Sequence, residues 1–77
     1  MELDNRQRLL TVLQILQNET DEENELSIYD IKERLKQAYG EDLNIKNAIL
    51  KEDIDALNRA GIDIDENIGE RGKKYYR

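Results

Sequence analysis

Four cations close the chain: Arg71, Lys73, Lys74 and Arg77 stand against one acid, Glu70, over residues 69–77, for a local charge of +3. Bases gathered this closely beside a glycine-rich turn are groups that neutralise phosphate. The opposite charge is concentrated in residues 19–25, with five acids and no base, and in residues 61–68, with three acids. An acidic run can hold calcium, but that chemistry wants oxygen ligands at alternating positions and a glycine for the sharp turn. Glu-Thr-Asp-Glu-Glu-Asn-Glu over 19–25 has neither and reads as a solvated connector. The single serine, Ser27, has no base to activate it. His, Cys and Pro are absent. Imidazole acid–base catalysis, thiol nucleophiles, disulfides and Cys/His zinc sites are therefore excluded together. Carboxylates and tyrosines alone, with no spacing that pairs two acids across a cleft, do not make an enzyme. No catalytic residue, metal or cofactor is expected.

The elements that position these charges follow from periodicity. With 77 residues the chain is one small domain, residues 1–77, and buries only about 60% of the surface its unfolded form exposes. Asp4 or Asn5 can cap a first helix in which Leu9, Leu10, Val12, Leu13, Ile15 and Leu16 follow helical spacing, for example Leu9–Leu13–Leu16, ending near Asn18 or Glu19. Ser27 with Asp30 resembles a capping box, and Ile28, Ile31, Leu35, Ala38 and Tyr39 recur at helical spacing up to Gly40. Asn44 is the expected cap of a third helix, with Ile45, Ile49, Leu50, Ile54 and Leu57 buried and Gly61 closing it. These spacings predict helices near 4–18, 27–39 and 44–60. Ile62-Asp63-Ile64-Asp65 then alternates as a strand does, and Lys73-Lys74-Tyr75-Tyr76 returns after a turn at 69–72. One of Tyr75 and Tyr76 must face the core. Tyr29 and Tyr39 read as residues at the edge of the core. No apolar run approaches the roughly 18 residues of a membrane span, so a soluble, cytoplasmic chain without a membrane partner is expected.

Three helices followed by a two-stranded β-hairpin is the order of a winged helix-turn-helix, an α+β class, whose third helix enters the DNA major groove. The ordered set Leu26-Ser27-Ile28-Tyr29-Asp30-Ile31, Leu35, Tyr39-Gly40, Asp53-Ile54-Asp55-Ala56-Leu57, Ala60-Gly61-Ile62-Asp63-Ile64 and Lys74-Tyr75-Tyr76 covers nearly the whole chain. It resembles the N-terminal winged helix of bacterial WYL-domain transcriptional regulators. That resemblance implies a double-stranded DNA partner, a role in transcription regulation, and a domain excised from a longer regulator. It also implies a homodimer formed through the C-terminal part that such regulators carry. Where that family has basic residues and a Thr in the first turns of the third helix, and an Arg before the Asp, this chain has Asn47, Ala48, Ile49 and Glu52.

Asn47, Ala48 and Lys51 are accordingly the base-facing candidates. Asn47 can pair bidentately with adenine. Lys46, Arg71, Lys73 and Lys74 are the phosphate contacts. Each of these has a plainer reading. Lys46, Lys51 and Arg59 can simply be solvated, or pair at helical spacing with Asp42, Asp55 or Glu52. The lysines near the C-terminus can serve only to blunt an exposed edge strand. Asp53 can be a structural hydrogen-bonding group at the helix seam. The net charge of −6, with Glu52, Asp53 and Asp55 on one helix, favours the alternative of an acidic protein-interaction or dimerisation module.

Overall fold

The computed structural model describes residues 3–21, 23–69 and 72–77. Helix α1 spans Asn5–Glu19, and Asp4 sets its start by accepting from the Arg6 and Gln7 amides at 2.8 and 3.4 Å. Those N–H groups have no partner inside the helix, which is why a short acceptor belongs there. Val12, Ile15 and Leu16 are buried, whereas Leu9 and Leu13 lie at the margin of the core. Of the expected apolar set, Val12, Ile15 and Leu16 are thus the buried members, and Leu10 is exposed.

Ser27 ends a two-residue strand, β1 (Leu26–Ser27), and caps α2 (Ile28–Tyr39). The capping box forms as the sequence predicts. The Asp30 amide donates to Ser27 Oγ at 3.2 Å, and the Ser27 amide donates to Asp30 Oδ2 at 3.0 Å. Ile28, Ile31 and Leu35 face inward, and the Gly40 amide donates to the Lys36 carbonyl at 2.8 Å to end the helix.

Helix α3 spans Asn47–Arg59, so the expected cap at Asn44 is corrected to Lys46, which contributes no side-chain cap bond. The reason is local packing. Leu43 is buried, Ile45 packs against the core, and Asn44 and Lys46 are exposed. That two-residue alternation is extended chain and postpones the first helical turn. The far end of α3 stops as the sequence predicts. Gly61, at φ 95°, takes a conformation that a side chain disfavours. Its amide donates to Asn58 at 3.1 Å while the Ile62 amide reaches the Leu57 carbonyl at 3.0 Å. This bond pair is a Schellman motif, which closes off carbonyls at the helix end.

The sheet has three strands rather than the expected two. Strands β2 (Glu66–Ile68) and β3 (Lys74–Tyr76) form the hairpin, and β1 pairs with the other side of β3, giving the antiparallel order β1-β3-β2. The alternating segment 62–65 is not a strand. Its Ile64 is buried and Ile62 packs against the core, but pairing begins only at Asp65, which exchanges bonds of 2.9 and 3.1 Å with Arg77. The Ile64 amide is taken instead by Asn58 Oδ1 at 2.9 Å. Tyr76 is the tyrosine that faces the core, and Tyr75 is half-buried. The protein is therefore α+β, with Val12, Ile31, Leu35, Leu50 and Tyr76 joining helices and sheet in one core. Among the described residues no helix is long and apolar enough to cross a membrane.

Candidate nucleic-acid interface

Two flanks of α3 are built differently, and helical geometry decides which residue falls on which. At about 100° per residue, Lys51 lies about 40° round from Asn47, while Glu52 lies about 140° round. Leu50, Asp53, Ile54 and Leu57 occupy the buried side. Asn47 and Lys51 consequently share the flank that faces the hairpin. The helix start on this side is bare, with no side-chain cap and no acid in its first turn. Its unpaired N–H groups carry the positive end of the helix dipole.

Opposite that flank, β3 begins at Lys74 and is preceded by Lys73. Asn47, Lys51, Lys73 and Lys74 line one open groove of about 250 Å³, together with Ser27, Ile28 and Tyr29 from the start of α2 and Gly72. Among the described residues its charged lining is three lysines and no carboxylate. Tyr29 is 62% exposed. The expectation that Tyr29 sits at the core edge is corrected, because Ile28, Ile31 and Leu35 define the inward side and position 29 is turned off it. Tyr39 does pack against the core, with its hydroxyl 2.7 Å from Thr11 Oγ1.

The lysines differ in how far they are engaged. Lys74 Nζ lies 3.4 Å from a Glu66 carboxylate oxygen on the neighbouring strand. Lys73 Nζ stands 5.6 Å from the centre of the Tyr75 ring, within cation–π range. That ring also passes so close to Gly69 that a Cβ there would lie 2.6 Å from Tyr75 Cε2. Lys46, Lys51 and Arg59 are exposed and form no ion pair among the described residues, which is the solvated form of the plainer reading. Strand β3 is central only at Tyr75 and Tyr76, where β1 flanks it; Lys74 pairs with Ile68 of β2 on one side, and β1 does not reach its other side.

The other flank of α3 is closed by a buried ion pair. Arg8 of α1 grips Asp53 bidentately, Nε to Oδ2 at 2.6 Å and Nη2 to Oδ1 at 2.9 Å, while Nη1 donates to Asn5 Oδ1 at 2.7 Å. The two side chains are only 12% and 8% exposed. The hydrogen bond to Asp53 holds the Arg8 guanidinium above its ordinary pKa against the opposing cost of burial, and the charges of Asp53, Glu52 and Asp4 add to it. Asp53 is thus the structural group the sequence allows it to be. Glu52 is exposed, on the side of α3 away from Asn47.

After Glu19 ends α1, the described residues of the acidic segment, 20, 21 and 23–25, are loop, as expected, and the loop is organised. Asp21 accepts from the Glu23 and Asn24 amides at 2.8 and 2.9 Å and from Asn24 Nδ2. The Glu23 amide, followed by the Asn24 side chain, lowers the Asp21 carboxyl below its usual pKa. Glu19 pairs with Arg34, and Glu25 accepts from Asn67 Nδ2 at 2.8 Å.

Of the candidate residues, Asn47, Lys51, Lys73 and Lys74 come together in the groove. Lys46 and Ala48 are exposed at the start of α3 but do not line it. Arg71 lies outside the described residues. Two participants escaped the sequence reading. Tyr29 was legible from its place off the Ile28–Ile31–Leu35 period, whereas Arg8 carries no local signal, since its partner is 45 residues away. No family model, curated protein or solved structure matches this chain.

Proposed function

We propose that this chain is a winged helix-turn-helix DNA-binding domain of the kind found in bacterial transcriptional regulators, acting on double-stranded DNA. On this reading α3 enters the major groove, with Asn47 and Lys51 toward base edges, and the hairpin lysines Lys73 and Lys74 take phosphates. The observation that carries it is the convergence of Asn47, Lys51, Lys73 and Lys74 on one groove whose charged lining, among the described residues, is these three lysines. The bare start of α3 adds donors suited to phosphate. Asp53, the acid most awkward for a DNA-facing helix, is withdrawn into its pair with Arg8. The resemblance to WYL-domain regulators supports the same reading, including two copies joined through a further domain, whose avidity offsets the few cations of one copy.

A fluorescence-anisotropy titration of a randomised duplex library tests it, at about 50 and 200 mM salt, the range in which phosphate contacts are exposed. Two neutralised phosphates predict affinity falling by about twelve-fold between those two conditions. The Lys73→Glu/Lys74→Glu variant should lose the interaction. No binding at the lower salt, even with the domain artificially dimerised, overturns the reading. The second reading, an acidic protein-interaction or dimerisation module, then takes its place. It draws on Glu52 and Asp55, both exposed on α3, and on the net charge of −6.

A further inference from the structure

The chain has four tyrosines, and the fold uses three of them. Tyr76 fills the core, and Tyr39 is tied to Thr11 through its hydroxyl. The Tyr75 ring has Lys73 over it and Gly69 against its edge. Tyr29 has none of these roles. It is 62% exposed, and among the described residues its hydroxyl makes no hydrogen bond. Its ring instead forms part of the wall of the groove that Asn47, Lys51, Lys73 and Lys74 also line, while Ser27 and Ile28 next to it are buried.

That composition distinguishes two forms of DNA. A duplex offers its base edges in the grooves and its phosphates outside, but the faces of its bases are taken up by stacking on one another. An aromatic face finds a partner only in a base that has left the stack. Lysines serve the backbone of either form. An exposed ring set among cations is therefore the recognition set for an unpaired strand. We propose that the groove holds a segment of single-stranded DNA, one base stacked on Tyr29 with its edge toward the Asn47 amide, and the flanking phosphates on Lys51 and Lys73. Lys74 joins them by exchanging Glu66, 3.4 Å away, for the strand. The inference rests on the lysines that carry the DNA reading and goes beyond it, since it names a second form of the partner and does not require α3 to enter a duplex.

The test uses the full 77-residue chain, a labelled oligodeoxynucleotide of about 12 residues and mixed sequence, and the duplex made by annealing its complement. Anisotropy at about 50 mM salt reads both affinities. Tyr29→Ala should weaken binding of the single strand by about tenfold, the loss of one stacked base, and leave duplex affinity within about twofold. Tyr29→Phe keeps the ring and should bind both like wild type. Because Tyr29 is exposed, circular dichroism of each variant should match wild type. The chain has no tryptophan, so in Tyr29→Trp the indole emission reports this position alone, and an unlabelled single strand should quench it where the duplex does not. If Tyr29→Ala binds the single strand like wild type, or weakens both forms equally, the inference falls. If wild type binds the duplex but not the single strand, the inference falls and the duplex reading stands. If it binds the single strand alone, the inference stands and the duplex reading falls. Binding of neither sinks both. Tighter binding of RNA of the same sequence makes RNA the occupant and overturns the assignment to DNA.

Discussion

The two flanks of α3 carry similar chemistry to opposite ends. On the α1 side, Arg8 and Asp53 meet in a bidentate pair and are nearly removed from water. On the hairpin side, Lys51 and Lys73 form no ion pair among the described residues and stand open beside Asn47 and Tyr29. A charge answered at 2.6 Å inside a protein contributes architecture, because its remaining field is small and its removal strands a partner. A charge left in water at a concave surface contributes a field to whatever approaches. The contrast teaches that a cation's type says little about its role until its partner is known.

The widest gap between the flanks should appear in stability. Asp53→Ala leaves the Arg8 guanidinium buried without its partner and should cost about 3 kcal/mol. For a domain of this size that lowers Tm by about 12–24 °C in a thermal melt. Replacing both partners, as Arg8→Met with Asp53→Leu, should recover most of the loss, since packed apolar groups substitute well for a buried pair. Lys51→Glu on the open flank should leave Tm within a few degrees; an equal loss there would erase the distinction.

A finer test concerns Lys74, which sits between the two conditions because Glu66 engages it at 3.4 Å across the strands. Glu66→Gln frees that lysine. On the DNA reading, removing this competitor for Lys74 should raise affinity a few-fold. Anisotropy checks it, and an unchanged affinity would show that Lys74 makes no phosphate contact.

The smallest effect is alkaline. Burial pushes the Tyr76 phenol above its usual pKa, and the charges of Glu66 and Asp55 add to it. The folded state therefore disfavours the phenolate. The associated stability is complete below the unfolded value of about 10 and is lost as pH rises from there through the higher folded value. Denaturant melts across that window should slope downward for wild type and less steeply for Tyr76→Phe. Equal slopes would mean that the core side of the sheet is wetter than its burial implies.

Where local chemistry decided the structure, it was legible. The Ser27–Asp30 box and the Gly61 stop depend on residues within five positions of one another, so spacing alone shows them. Strand β1 left no such trace, because two residues have no period and Leu26–Ser27 is a strand only by lying beside Tyr75 and Tyr76. The alternation at 62–65 was a true burial pattern read as the wrong element. Inward-facing isoleucines need extended chain but no partner strand. The start of α3 was misplaced for the same reason, since Leu43 and Ile45 were periodic with the core and not with the helix.

Composition and spacing by themselves determined three helices, their two clearest ends, a C-terminal hairpin and the polarised placement of charge. Tertiary structure alone decided that Asp53 is silenced by Arg8, that Lys74 begins the central strand, and that Tyr29, Asn47, Lys51 and Lys73 share a groove with it. The division has a physical cause. Caps and helical stripes are short-range interactions written within a few residues. A site is an agreement between distant segments, and it exists only once the core has brought them together.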